Sequence, residues 1–401
     1  MEKRLSAVVD TARVYNVVVI VSLLWFMVQF LRFVFPPLFE TFQETYGVSN
    51  TETGMLFTAL MIGYACMQFP AGVLGDRIGE PRVIIGGAVV FSGAAALVAT
   101  GQSFLLILAG AVLIGLGTGP HKTVAIPLLS KRYKERTGLA LGFMDTVGQF
   151  GGMLAPLAVV ALMSFFVWQN VFVLGAVVSL VLGWLFYVTV RRDSELRTSG
   201  VITDEESSTD SNESIFKTFR TVFRNRRLLI FVAVAMAFTF SWNALSAFFP
   251  LFLTSEKGVS SGVASILYSI LFIASISQTA TGDISDRRDS ISVAFALFAL
   301  MFVAILSLII VDSLLTLVAI TVLAGIGFHG FRPVRDSYLM DVIPENVGGS
   351  AFGMIRTGMT GVGALSPAIV GYISDDAGFV AAFLSIAGII LIGAVLLVFL
   401  R

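Results

Sequence analysis

Residues 291–311 read ISVAFALFALMFVAILSLIIV, a stretch without one charged side chain. A run of that length and character crosses a hydrocarbon core of about 30 Å as a helix. Comparable runs lie near 15–38, 53–75, 83–101, 104–130, 138–164 and 168–190. A second set lies near 228–253, 260–282, 291–311, 314–339, 350–374 and 379–400. None alternates with the period of two that a membrane barrel requires, and hydrocarbon offers backbone groups no partners outside a helix or a closed barrel. The expected fold class is an all-α membrane protein with twelve transmembrane helices, numbered here as spans one to twelve. Composition agrees: the chain is 56% hydrophobic and 13% charged, whereas soluble domains are about a quarter charged.

Several function classes drop out at this point. The formal net charge is zero, which gives nucleic acid no basic surface to bind. Cys66 is the single cysteine, so no internal disulfide can form. GLGTGPHKT (115–123) superficially suggests a phosphate-cradling loop. His121 stands where that motif needs glycine, and the upstream FLLILAGAVLI is an apolar helix rather than a strand. No nucleophile–base pair, metal-ligand cluster or nucleotide motif emerges, so the expectation is a non-enzyme without cofactor or metal. The N-terminal hydrophobic stretch is too long for a signal-peptide core and reads as an uncleaved first span.

Lysine and arginine set the orientation. Lys3, Arg4 and Arg13 precede span one, Arg77 and Arg82 follow span two, and Lys131, Arg132, Lys134 and Arg136 follow span four. After span six come Arg191, Arg192 and Arg197, while the opposite loops carry Glu40, Glu44 and Glu52. Both termini are therefore expected in the cytoplasm, with the chain in the cell membrane. The segment DEESSTDSNES (204–214) reads as disordered. The following IFKTFRTVFRNRR (215–227) reads as an amphipathic helix lying on the anionic leaflet.

The two sets of spans resemble each other. AGVLGDRIG (71–79) matches TGDISDRRD (281–289) 210 residues later, and GLGTG (115–119) matches GIGFHG (325–330) at the same offset. With one residue of slip, GFMDTVGQFGGMLAP (142–156) falls on GMIRTGMTGVGALSP (353–367). The expected organisation is two pseudo-symmetric six-helix bundles, 1–190 and 228–401, joined by a cytoplasmic linker, 191–227. Such repeats place a substrate site between them near the bilayer midplane.

These features together resemble the major facilitator superfamily over essentially the whole chain. The most specific carrier is the segment from Gly72 through Asp76 and Arg77 to Gly79, which is similar to the family's loop between spans two and three. A degenerate copy stands at Gly282, Asp286 and Arg287. The resemblance implies the major facilitator fold and a role for these residues in holding the cytoplasmic side closed. Arg32, GVSNTETG (47–54) and GYACMQFPAGVLGDRIG (63–79) resemble the anion:cation symporters, carriers of organic acids and phosphorylated compounds. In that group a span-one arginine binds the substrate's anionic group. An acidic residue common on span four of related symporters is replaced here by Pro120-His121-Lys122.

Ionisable groups inside a bilayer need a reason, because each costs at least about 2.5–3.5 kcal/mol to insert at the centre. Arg32, His121, Lys122, Asp145, His329, Arg332, Arg335, Asp336 and Arg356 all fall within the expected spans. Lys122 and Arg332 occupy equivalent repeat positions, and with Arg32 they make three cations suited to a carboxylate or phosphate. The expected substrate-binding set is Arg32, Lys122, Arg332, Gln29, His121, His329, Trp242 and Asn243. The gating or coupling set is Gly72, Asp76, Arg77, Gly79, Asp145, Asp286, Arg287, Arg335, Asp336 and Arg356. Arg332 and Asp336 are spaced to pair on one face of span ten, and a histidine could carry a proton.

The function expected is secondary transport of a small anionic solute by alternating access, coupled to protons or to exchange, by a monomer. Internal salt bridges among the cations would instead favour an exporter of amphipathic, drug-like compounds. A transport-dead sensor is disfavoured, because sensors usually carry an added signalling domain and the sequence ends at Arg401 after the last span.

Overall fold

The computed structural model describes residues 2–193, 225–343 and 348–400, and the side chains of 15–193, 225–343 and 355–400. The expected disordered stretch and most of the amphipathic helix at 215–227 lie outside the described residues. Secondary structure among the described residues is entirely helical. Span one is Glu2–Phe33, followed by a short helix Phe39–Tyr46; spans two to six are Asn50–Ile78, Glu80–Ala99, Phe104–Arg132, Thr137–Met163 and Gln169–Arg192. Span seven is Arg226–Lys257, and span eight is Ser261–Ile273 continued by Ser277–Arg287 through a single 3-10 turn. Spans nine and ten are Ser290–Ile310 and Leu314–Val342.

The last helix, Gly348–Val398, runs 51 residues but is broken by Gly378 at φ 82° and ψ 166°. A positive φ of this kind is open to glycine and strained for other residues. The break divides the helix into spans eleven and twelve and keeps the total at twelve. Gly79 (φ 91°) does the same work at the start of span three, which accounts for the last glycine of the 72–79 segment. In the second copy Asp289 occupies that position at an ordinary φ of −58° and caps span nine through its side chain.

Tertiary contacts divide the described chain into two compact units. One holds the chain up to Val34 and from Ile62 to the end of span six; the other holds Phe35–Met61 with spans seven to twelve. In the first unit, span three packs along spans four and six, and span one along five and six. In the second, span seven packs along the long last helix, and span ten along spans eight and nine.

The internal repeat is visible in packing as well as in letters. A Cβ added at Gly72 would stand 3.9 Å from the Thr123 methyl, and one added at Gly282, 210 residues on, 3.7 Å from the Pro333 side chain. Gly117 abuts Phe91 on span three, and its counterpart Gly327 abuts Met301, the repeat equivalent of Phe91, on span nine. Residues 71–78 and 281–288 even share one pattern of burial along the helix, with Asp76, Arg77, Asp286 and Arg287 exposed in both. Close approach of this kind is how helices associate where lipid removes the hydrophobic drive.

A side chain at Gly117 has no room: a Cβ there would stand 2.6 Å from the Phe91 backbone nitrogen and 3.0 Å from the Gly87 carbonyl oxygen. Gly117→Ala is expected to destabilise the folded protein by about 1–3 kcal/mol through overpacking. Gly86→Ala, where nothing lies within 4 Å, should leave stability unchanged or slightly raised. Thermal unfolding of both variants in detergent checks the contrast; equal melting temperatures would contradict it.

Candidate functional site

The intramembrane ionisable residues form one cluster in each unit. In the first unit Trp25, Gln29 and Arg32 sit on one face of span one, spaced four and three residues apart. Span five presses against this face through Gly148, which abuts the Trp25 ring, and Gly151, which abuts the Phe26 carbonyl and Gln29. The Arg32 guanidinium lies 4.8 Å from the centre of the Tyr64 ring and 5.3 Å from that of Phe33. The buried Oε1 atoms of Gln29 and Gln149 have no hydrogen-bond partner among the described residues.

Span four contributes His121 and Lys122, which the structure turns to different tasks. His121 is buried, its Nε2–H donating to the Val21 carbonyl at 3.0 Å, and its ring stacks on Trp25 at 5.8 Å with an interplanar angle of 7°. That bond assigns the proton to Nε2 in the neutral ring, and it ties span four to span one. Lys122 instead reaches Asp145 on span five at 2.8 Å, with its Nζ 5.5 Å from the Trp25 ring centre. The two side chains remain about a quarter and about half exposed (24% and 48%), so this pair is not sealed from solvent.

In the second unit the Arg332 guanidinium lies 4.9 Å from the centre of the Trp242 ring. Trp242 also meets His329 edge-on at 4.9 Å, with Phe272 and Phe328 completing its surroundings. His329 is fully buried, with Gln278 Nε2 3.4 Å from its Nδ1. Asn243 is also buried, and its Nδ2 has no hydrogen-bond partner among the described residues. Gly363 on span eleven approaches both Asn243 and Thr239. Trp25–Lys122 and Trp242–Arg332 are thus the same arrangement built twice, an aromatic face from the first span of each set under a cation from the fourth.

Asp336 pairs with its neighbour Arg335 at 2.7 Å, not with Arg332 as the spacing suggested. Arg335 is also 5.7 Å from Phe238. Arg335 meets the carboxylate of the next residue, while the Arg332 guanidinium lies on Trp242. Asp145 likewise has Lys122 as its partner, and Arg356 is half-buried on span eleven, one turn from Thr360, whose hydroxyl donates to the Arg356 carbonyl. Near the ends of spans two to four, Lys131 pairs with the buried Glu80, and Arg132 with Asp193 at 2.8 Å. Arg287 makes an exposed pair with Asp283 one turn back.

Tyr64, Trp25, Gln149 and Gln278 are members of these clusters that sequence reasoning passed over. For Trp25 a signal existed, since it shares a helical face with Gln29 and Arg32. Gln278 is the repeat counterpart of Gln68 on span two, 210 residues earlier. Tyr64 had no local signal, because what distinguishes it is the Arg32 guanidinium that tertiary packing brings, and Gln149 is marked only by a buried Oε1 atom without a hydrogen-bond partner among the described residues.

Known proteins resemble this chain in sequence and in fold. The chain is 25% identical over 367 residues to the hexuronate transporter of Bacillus subtilis, covering 86% of this chain and 85% of that protein. It is 24% identical over 361 residues to the probable sulfoacetate transporter of Cupriavidus necator, covering 84% and 81%. A bacterial homolog to the human lysosomal transporter Spinster has a similar fold, with a TM-score of 0.78 at 15% identity over 97% of both chains. The family model described as Major Facilitator Superfamily matches residues 21–315 and 282–401. This multi-pass membrane protein, with its doubled set of six spans, belongs to the major facilitator superfamily.

Proposed function

We propose that the protein is a secondary transporter that carries a small organic anion, of the sugar-acid or related organic-acid class, across the cell membrane by alternating access. The observation that carries this reading is the seating of all three predicted cations, Arg32, Lys122 and Arg332, over aromatic rings inside membrane spans. An aromatic face holds a cation in a dry site without neutralising it. It covers the flat side of a guanidinium, whose planar fork matches a carboxylate with two parallel bonds. The buried Oε1 atoms of Gln29 and Gln149 and Nδ2 of Asn243, without hydrogen-bond partners among the described residues, supply hydrogen-bonding capacity for a polyhydroxylated solute. The relatives named for hexuronate and sulfoacetate support the anionic class.

Coupling follows from Lys122, which already holds a carboxylate. A solute anion that competes with Asp145 for the ammonium releases that carboxylate to carry the coupling proton. One proton would then travel with each anion captured at Lys122. The loops rich in lysine and arginine put both termini in the cytoplasm, and a monomer suffices for the cycle. On this reading the exposed Asp76, Arg77, Asp286 and Arg287 serve the gate on the cytoplasmic side.

Uptake into proteoliposomes of hexuronates, aldonates, sulfonates and phosphate esters, with and without an inward proton gradient, tests the reading. A named anion should be taken up; transport of lipophilic cations alone would overturn it. Arg32→Ala and Arg332→Ala are each expected to lower kcat/KM for that anion about 10- to 100-fold, the scale of a lost hydrogen bond to a charged group. Trp242→Leu should raise KM about 3- to 30-fold with kcat less affected, while Trp242→Phe keeps most of the affinity. Asp145→Asn should leave binding measurable but remove the stimulation of uptake by the proton gradient.

A further inference from the structure

The Phe35–Met61 segment is held to the later spans at one end of the second unit, and that attachment has a specific chemistry. Span two opens with a reciprocal cap: Ser49 N–H donates to Glu52 Oε2 at 2.8 Å, and Glu52 N–H donates to Ser49 Oγ at 3.3 Å. The first-turn N–H groups of Asn50 and Thr51 are left over, as at any helix start. Both are taken by Asp375, which lies more than 300 residues away near the end of span eleven. Asn50 N–H donates to Oδ1 at 3.0 Å, and Thr51 N–H and its hydroxyl donate to Oδ2 at 2.7 and 2.5 Å. A carboxylate placed there also meets the positive end of the helix dipole.

Below this cap the two helices touch backbone to backbone. Gly54 abuts the Pro367 carbonyl, and Gly371 abuts the Asn50 carbonyl and the Phe248 ring. One turn deeper, Ala368 N–H donates to Thr58 Oγ1 at 3.0 Å. Beside it, Ser261 at the start of span eight donates to Glu40 at 2.7 Å. The contact is therefore dry and tight beneath, and polar at its rim. Asp375 itself is exposed, so water can replace its partners when it lets go. A fully buried carboxylate would resist release because of its desolvation cost.

We propose that Asp375 is a releasable latch that holds the span-two end of the solute path shut and must disengage in each transport cycle. By the orientation argued above, this end faces the cell exterior. The proposal rests on the transporter reading, and its test separates the two. In a Cys66→Ser background, Thr51→Cys with Asp375→Cys places two thiols where hydroxyl and carboxylate now touch. Oxidative cross-linking should occur, reduce uptake of the anion at least about tenfold, and be reversed by a reductant. A cross-linked protein that transports at its reduced rate, or a failure to cross-link, would overturn the latch.

A second arm needs no substrate. Met61 is buried on the same face of span two as Gly54 and Thr58, so Met61→Cys reports opening beneath the latch. Labelling by a membrane-impermeant maleimide from outside should run about tenfold faster when Asp375→Asn is added, the scale of one lost charge-assisted hydrogen bond. Equal labelling rates would refute the latch even where transport is intact. Faster labelling in a protein that moves no anion would keep the latch and remove the transporter reading.

Discussion

Hydrocarbon will not hydrogen-bond to a peptide group, and everything else in this protein is arranged around that fact. Each span must satisfy its own backbone, which makes it helical along its length. Once that is done, little hydrophobic force remains to bring one helix to another, since lipid is as apolar as leucine. Association then depends on closeness. Gly117 against Phe91, Gly327 against Met301, Gly151 against the Phe26 carbonyl and Gly54 against the Pro367 carbonyl are the points where missing side chains allow it.

The same solvent sets the terms for charge. A cation inside a span needs shelter from hydrocarbon. The protein solves this twice with tryptophan, Trp25 under Lys122 and Trp242 under Arg332, and once with Tyr64 under Arg32. Lys122 also pairs with a carboxylate, Asp145, which lies on a neighbouring helix and remains partly exposed. Histidine takes a different part in each cluster: His121 ties span four to a carbonyl of span one, and His329 packs edge-on to Trp242 beside Gln278. At the rim, where water returns, a carboxylate can serve as a removable cap, and Asp375 is placed for that.

Spans, repeat and family were legible in the letters because each rests on local pattern. The twelve apolar runs follow from length and hydropathy, and even the break between spans eleven and twelve coincides with a glycine that the backbone needs, Gly378. Matches 210 residues apart gave the repeat, and the packing of Gly72 and Gly282 reproduces it. Helical spacing was a weaker guide to partners. It put Arg332 and Asp336 on one face, yet the carboxylate went to Arg335, because an arginine that can lie on an indole ring need not turn to an acid one helical turn away.

By itself, the sequence determined the class of molecule, its set of apolar spans, their duplication and which ionisable residues fall within those spans. Those properties depend on residues near one another in the chain, or on a comparison of the chain with itself. Only the tertiary structure decided which aromatic ring lies under which cation, that His121 faces a backbone carbonyl, and that Phe35–Met61 packs with the later spans through Asp375. Each of these joins residues from 32 to more than 300 positions apart, and no periodicity of a helix encodes a partner on a different one.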